Sequence, residues 1–384
     1  MKIGIVLYPT FGGSGVVATE LGNELAKKGH QVHFITYREP VRLNTFQKNI
    51  FFHEVSISDY PLFEYQPYEM LLASKIVDVT RYEKLDLLHV HYAIPHASAA
   101  YMAKKMLQED LAQQILKSQN IDIPFITTLH GTDITLVGKD PSFEPVITFC
   151  INNSNAVTSV SESLKQDTYE HFNVTKDIHV IPNFIHTVPQ LPIINQDTRR
   201  FYAQDDEKIL IHISNFRKVK RVDDVVKIFN LVQQEIPSQL LFVGDGPERV
   251  IAERMSRDFG IEKRVRFLGK VRNTQEVLEY GDLFLLPSET ESFGLAALEA
   301  MAVGVPVISS NTGGIPEVNT NGFSGYLSNV GDVEDMAKNA VKILKNECVL
   351  REFKLNALER SKDFTFDKII PIYERLYEEV AKGI

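Results

Sequence analysis

The sequence predicts an α/β chain built from two doubly wound, Rossmann-like halves, each a parallel sheet flanked by helices. Short apolar runs at residues 3–7, Gln31–Thr36, 209–213 and 240–243 alternate with helical periods at 16–28 and 222–234. Glycine-rich or polar residues recur where those runs stop, as they do at the carboxyl ends of parallel strands. The chain of 384 residues is also too long for one ordinary core, so two domains are expected.

In the first half, residues 3–7 read as a buried strand and Phe11-Gly12-Gly13-Ser14-Gly15 as a glycine-rich turn. Residues 16–28 read as a helix with Val17, Leu21 and Leu25 on one face, stopped by Gly29. Glycines at 12, 13 and 15 do not fit GxGxxG, and no acidic residue closes the second strand, so a dinucleotide site is disfavoured. The turn suits backbone N–H groups approaching phosphate or carboxylate. It also suits a tight turn that needs glycine for its dihedrals alone. Further strands end in His89-Val90-His91-Tyr92, in His130-Gly131-Thr132-Asp133 and in Ser159-Val160-Ser161-Glu162, where Ser161 is placed to cap the helix Glu162–His171.

Residues 182–198 hold Pro182, Pro189 and Pro192 without a clear period and read as a linker. The second half alternates again: strands at 209–213, 240–243, 265–268, Leu283–Leu286 and 305–309, and helices at 222–234, 248–259, 274–280, 332–345 and 350–362. A last helix covers Phe366–Lys382. The expected domains are 1–185, 186–365 and a C-terminal crossover segment, 366–384, that returns to the first domain. Such halves are expected to face each other across a central cleft.

Composition narrows the function. With 44% hydrophobic and 24% charged residues the chain reads as a soluble globular protein. A net charge of -9 argues against nucleic acid or an anionic membrane as partner. Cys150 and Cys348 have no CxxC partner, so neither a zinc motif nor a disulfide framework is expected. The opening apolar run is too short for a secretory leader, and no run is long enough to span a bilayer, so the cytoplasm is the expected location.

Two stretches carry chemistry. In Glu291-Ser292-Phe293-Gly294-Leu295-Ala296-Ala297-Leu298-Glu299, Gly294 opens a helix directly after a strand. The amides of Ser292 to Leu295 would be free donors for an anion such as phosphate. Glu291 and Glu299 would then accept hydrogen bonds from sugar and ribose hydroxyls. Asn215-Phe216-Arg217-Lys218-Val219-Lys220-Arg221 places four basic residues among its last five, at a strand end in an acidic chain. That run suits an anion clamp. His89, His91, His96 and His130 match no metal-ligand spacing, no acidic DxD cluster is present, and neither a metal nor another cofactor is expected. One of the strand histidines, His89 or His91, is expected to be a satisfied core residue.

The Glu-x7-Glu pair, the Arg-x-x-Lys before a helix, Gly313-Gly314-Ile315-Pro316-Glu317 and the two-Rossmann layout together resemble retaining glycosyltransferases of the GT-B fold, family 4, over the whole chain. The resemblance implies that Glu299 binds ribose hydroxyls, Glu291 the sugar, and the amides of Ser292, Phe293, Gly294 and Leu295 the diphosphate or sugar. Arg217 and Lys220 would neutralise the departing diphosphate. Their spacing of three departs from the family's five and puts Asn215 in the arginine position, so Lys220 is the safer assignment. Gly13, Ser14 and Gly15 would close on the phosphates. His130 would lie beside the reacting sugar, and Ser14, Tyr92 and Thr132 would contact the acceptor. The family's crossover tryptophan is absent; Phe364 and Phe366 stand nearby. The stretches from His89 to His96 and from Leu129 to Gly138 narrow the resemblance to transferases that move N-acetylglucosamine from UDP-N-acetylglucosamine to L-malate in bacillithiol synthesis, without a metal. Two alternatives stay open: a lipid or polysaccharide acceptor, and nucleotide-sugar binding without transfer. Homo-oligomerisation stays open too.

Overall fold

A computed structural model describes residues 1–10, 12–56, 66–112, 122–136, 138, 140–186, 188 and 190–383. Phe11, Val137 and Pro189 lie outside the described residues. The chain divides into two compact units: Met1–Asn183 together with Phe366–Ile384, and Phe184–Thr365.

The first unit carries seven strands: β1 (Lys2–Val6), β2 (Gln31–Thr36), β3 (Ile50–Glu54), β4 (Leu87–His91), β5 (Phe125–Leu129), β6 (Ala156–Ser159) and β7 (Ile178–Val180). Their order is β3-β2-β1-β4-β5-β6-β7, and every pairing is parallel. The order reverses between β1 and β4, so the loops leaving those two strands flank the switch point where such sheets bind ligands. Strands β4 and β5 are buried along their whole length, as expected when helices cover both faces.

The glycine-rich segment differs from its reading as a turn. Gly13, Ser14 and Gly15 form the first turn of the helix Gly13–Lys27, with Gly12 as its N-cap. A Cβ on Gly15 would stand 2.5 Å from the Tyr8 carbonyl oxygen, so only glycine lets this helix start against the end of β1. Low helix propensity had pointed to a loop, but close packing on the strand end decides the conformation.

The second unit carries β8 (Lys208–Ser214), β9 (Ser238–Gly244), β10 (Val265–Gly269), β11 (Leu283–Leu286), β12 (Val307–Ser310) and β13 (Gly325–Ser328), in the order β10-β9-β8-β11-β12-β13. Its switch point lies between β8 and β11, so the loops after those strands share one end of the sheet. The helix Val222–Glu235 buries Val222, Val225, Val226, Phe229 and Val232 against Phe242 and Leu210. Each such side chain contributes about 1.5–3 kcal/mol.

Part of the expected linker is ordered as the helix Gln196–Tyr202, capped by Asn195. The Ile185 amide donates to the Phe364 carbonyl, and Ile185 bridges Thr365, so the chain enters and leaves the second unit side by side. The helix Phe366–Lys382 groups with the first unit, where it buries Tyr373 and Tyr377. Ser161 caps its helix as expected, accepting from the Leu164 amide at 3.1 Å. Among the described residues no helix is long and apolar enough to cross a membrane.

Candidate active site

In the second unit the site is built on the loops after β8 and β11. Past β8 the chain turns through a single 3-10 turn, Lys218–Lys220, closed by the Lys220 amide donating to the Arg217 carbonyl at 2.8 Å. The turn directs Lys220 onto Glu291: its ammonium donates to Glu291 Oε1 at 2.5 Å. Ser288 Oγ donates to the same oxygen at 2.9 Å. Lys220 and Glu291 are thus ion-paired across 71 residues of sequence, a contact that no local motif discloses. Arg217 and Asn215 are exposed on the same loop after β8.

The helix Leu295–Ala302 opens at Gly294, whose φ of 91° is left-handed. Among the described residues, the amides of Phe293, Gly294 and Leu295 meet no hydrogen-bond acceptor. This is the row of donors that an anion at a helix N-terminus uses. Glu299, in the second turn, receives a hydrogen bond from Thr274 Oγ1 at 3.3 Å. The glycine loop supports the turn from behind. The Gly314 amide donates to the Glu291 carbonyl at 2.9 Å, and a Cβ on Gly313 would fall 2.0 Å from that same oxygen. Phe364 packs edge-on against Phe293, 5.6 Å between centroids, where the family pattern suggested tryptophan.

In the first unit the site gathers on the loops after β1, β4 and β5. Ser14 Oγ lies 2.6 Å from the Tyr92 hydroxyl. Burial pushes the Tyr92 pKa up to about 12, although hydrogen bonds from Ser14 and Thr132 oppose it. Ser14, Tyr92 and Thr132, the expected acceptor contacts, therefore come together. The His130 ring stands 5.2 Å from that of Tyr92, and its Nε2 is hydrogen-bonded to His91 Nδ1 at 2.8 Å. Burial lowers the His130 pKa to about 3, with His96 adding to the effect, so the imidazole is neutral. His89 is the satisfied core histidine: Nδ1 meets the Tyr377 hydroxyl at 2.7 Å and Nε2 meets Thr128 Oγ1 at 2.6 Å.

The strand-end motif His130-Gly131-Thr132-Asp133 holds one further residue whose role the sequence does not show. Asp133, 2% exposed, accepts from the Ala93 amide at 2.8 Å and from the Gly131 amide at 3.2 Å. It therefore ties the loop after β4 to the loop after β5 and holds Tyr92 at a left-handed φ of 86°. Burial raises its pKa to about 6 against those amide hydrogen bonds. The only signal in the sequence was its place two residues after a strand-end glycine.

Each unit thus carries polar groups at its Rossmann switch point, a cation, helix-terminal amides and two carboxylates in the second and clustered hydroxyls in the first, and the class of protein follows from the family. A profile described as Glycosyltransferase Family 4 matches residues 11–188, and one described as Glycosyl transferases group 1 matches residues 194–360. The chain belongs to this glycosyltransferase family and has its GT-B fold. It is 48% identical, over 100% of its own length and 98% of the other, to the N-acetyl-alpha-D-glucosaminyl L-malate synthase of Bacillus anthracis. Among solved structures it resembles the sucrose-phosphate synthase of Thermosynechococcus elongatus, with a TM-score of 0.78, 20% identity and full coverage of both chains. It also resembles Anabaena HepE in complex with UDP and glucose, with a TM-score of 0.74, 19% identity, and coverage of 98% of this chain and 100% of that one.

Proposed function

We propose that the chain transfers N-acetylglucosamine from UDP-N-acetylglucosamine to the hydroxyl of L-malate, with retention at the anomeric carbon, as the first step of bacillithiol synthesis in the cytoplasm. The observation that carries this reading is the 48% identity, end to end, with a synthase of that name.

The geometry supports a division of labour. The second unit holds the donor: Glu299 accepts from ribose hydroxyls, Glu291 from the sugar, and the amides of Ser292 to Leu295 meet the diphosphate. The C1–O bond to the β-phosphate breaks, and charge builds on the leaving oxygens. Lys220, with Arg217 and Asn215 beside it, and the helix-terminal amides stabilise that charge where it develops. No metal is needed for this step. In the first unit, Gly13, Ser14 and Gly15 add amides at a second helix N-terminus. Tyr92, Thr132 and Ser14 orient malate. Its hydroxyl oxygen forms the new bond to C1 from the face that UDP leaves, and its proton passes to the departing phosphate oxygen. The products are the N-acetylglucosaminyl malate and UDP, and neutral His130 contributes a hydrogen bond at the sugar rather than a charge.

The test is to incubate the purified protein with a panel of nucleotide sugars and hydroxy acids and to weigh the products. A conjugate of N-acetylglucosamine and malate formed with one UDP released, in chelator as well as without it, is the expected result. UDP release that ignores malate, or conjugation only to a lipid or glycan, overturns the acceptor assignment.

A further inference from the structure

We propose that His33, His53 and Glu83 form a binding site for a divalent transition-metal ion, zinc by its ligand type, on the outer edge of the first unit's sheet. This does not rest on the transferase reading. His33 lies on β2, His53 on the edge strand β3, and Glu83 is the last residue of the helix Tyr68–Glu83. One ligand atom from each lies within 4.8 Å of the other two. Two imidazoles and a carboxylate, with a fourth position left to water, form an established zinc ligand set.

The details favour an ion over a plain hydrogen-bonded pair. His33 Nδ1 and His53 Nε2 are 2.9 Å apart, in rings only 19° from parallel. Two neutral imidazoles in that contact share one proton, one donating and one accepting. An ion about 2.0–2.1 Å from each nitrogen would set the nitrogens roughly 3.3 Å apart in a tetrahedron. The pair must therefore open by a few tenths of an ångström, and His53 must turn its lone pair. His53 is half-buried and free to do so, whereas His33 is fixed by burial and by its stack on Phe51. Each ring then carries its proton on the other nitrogen, so binding releases none.

Among the described residues the Glu83 carboxylate takes part in no hydrogen bond or ion pair, although it sits at the imidazole pair. A pocket of about 780 Å³, lined by His53 and Glu83 with Lys75, Asp78 and Tyr82, gives an ion and its water a way in. Three cations oppose the ion. Lys2 Nζ donates to the Glu83 carbonyl at 2.7 Å, Lys75 bears on His53, and Arg81 lines the same pocket. Glu54 and Asp78 on the pocket wall offset them. The ion would join the edge strand β3 to the end of the helix.

The experiment titrates the chelator-stripped full-length protein with zinc and, separately, with cobalt, alongside His53→Gln and Glu83→Gln. The expected result is one zinc per chain, a rise in Tm with zinc, and a tetrahedral cobalt spectrum. Each variant should lose affinity by about tenfold or more and lose the cobalt bands. Unchanged UDP binding and circular dichroism in the variants show that they are folded. Absence of zinc binding to the parent chain, or equal binding in both variants, overturns the site.

Discussion

Lys220 and Glu291 carry the sharpest expectation at the scale of single residues. In the structure they neutralise each other through a 2.5 Å contact, so substrate binding must redistribute that charge. Lys220→Ala is expected to lower kcat more than it weakens donor binding, because the cation matters most when the diphosphate leaves. A change in the Michaelis constant alone, read in steady-state kinetics, would reject that role. Asp133 gives a pH prediction of definite sign. Its folded pKa of about 6 lies above the ordinary 3.8, so between those values the folded state holds the proton more tightly. Its contribution to stability is therefore greatest below that window and falls as pH rises through it. The cost of ionisation is complete above pH 6, and the shift corresponds to about 3 kcal/mol. Asp133→Asn lacks this term. Denaturant titrations from acid to neutral pH should show the parent chain losing stability relative to Asp133→Asn by about that amount, and parallel curves would refute a buried carboxylate with a raised pKa.

At the scale of elements, the turn before the helix Leu295–Ala302 is set from behind by Gly313. A side chain there meets the Glu291 carbonyl at 2.0 Å and would hold a φ of +54°. Gly313→Ala should cost about 1–2 kcal/mol in backbone strain and, by moving Glu291 off Lys220, cut transfer by more than its effect on Tm explains. Full activity in a stable Gly313→Ala chain would show that the turn tolerates movement. These elements also mark what the sequence discloses. The strand Leu283–Leu286, the glycine opening the next helix and the bounds Phe366–Lys382 are local patterns, and they are legible. The strand β3 passed unseen because Ile50–Glu54 is only half-buried and mixes His53 and Glu54 into its apolar pattern. The helices Tyr68–Glu83 and Ser98–Ala112 went unread as well. The ion pair of Lys220 with Glu291 and the amide clamp of Asp133 were illegible for a different reason. Each joins residues that only the strand order of its own sheet brings together.

At the scale of the whole molecule, the C-terminal helix decides which unit a distant mutation will damage. Phe366–Lys382 follows the second unit in sequence, yet it completes the core of the first, where Tyr377 is fully buried and its hydroxyl meets His89. His89 in turn reaches Thr128 on β5, and Thr128 bonds Thr158 on β6, so one tyrosine anchors a polar line through the middle of the sheet. Removing it leaves a cavity and orphans a buried imidazole nitrogen, and truncating a buried aromatic costs about 3–5 kcal/mol. That loss should fall on the first unit alone. In calorimetry of Tyr377→Ala, the transition of the first unit should move down and separate from that of the second, and UDP should still raise the upper one by mass action. A single transition that moves down intact would mean that the two units unfold as one cooperative body, and the helix would then belong to both.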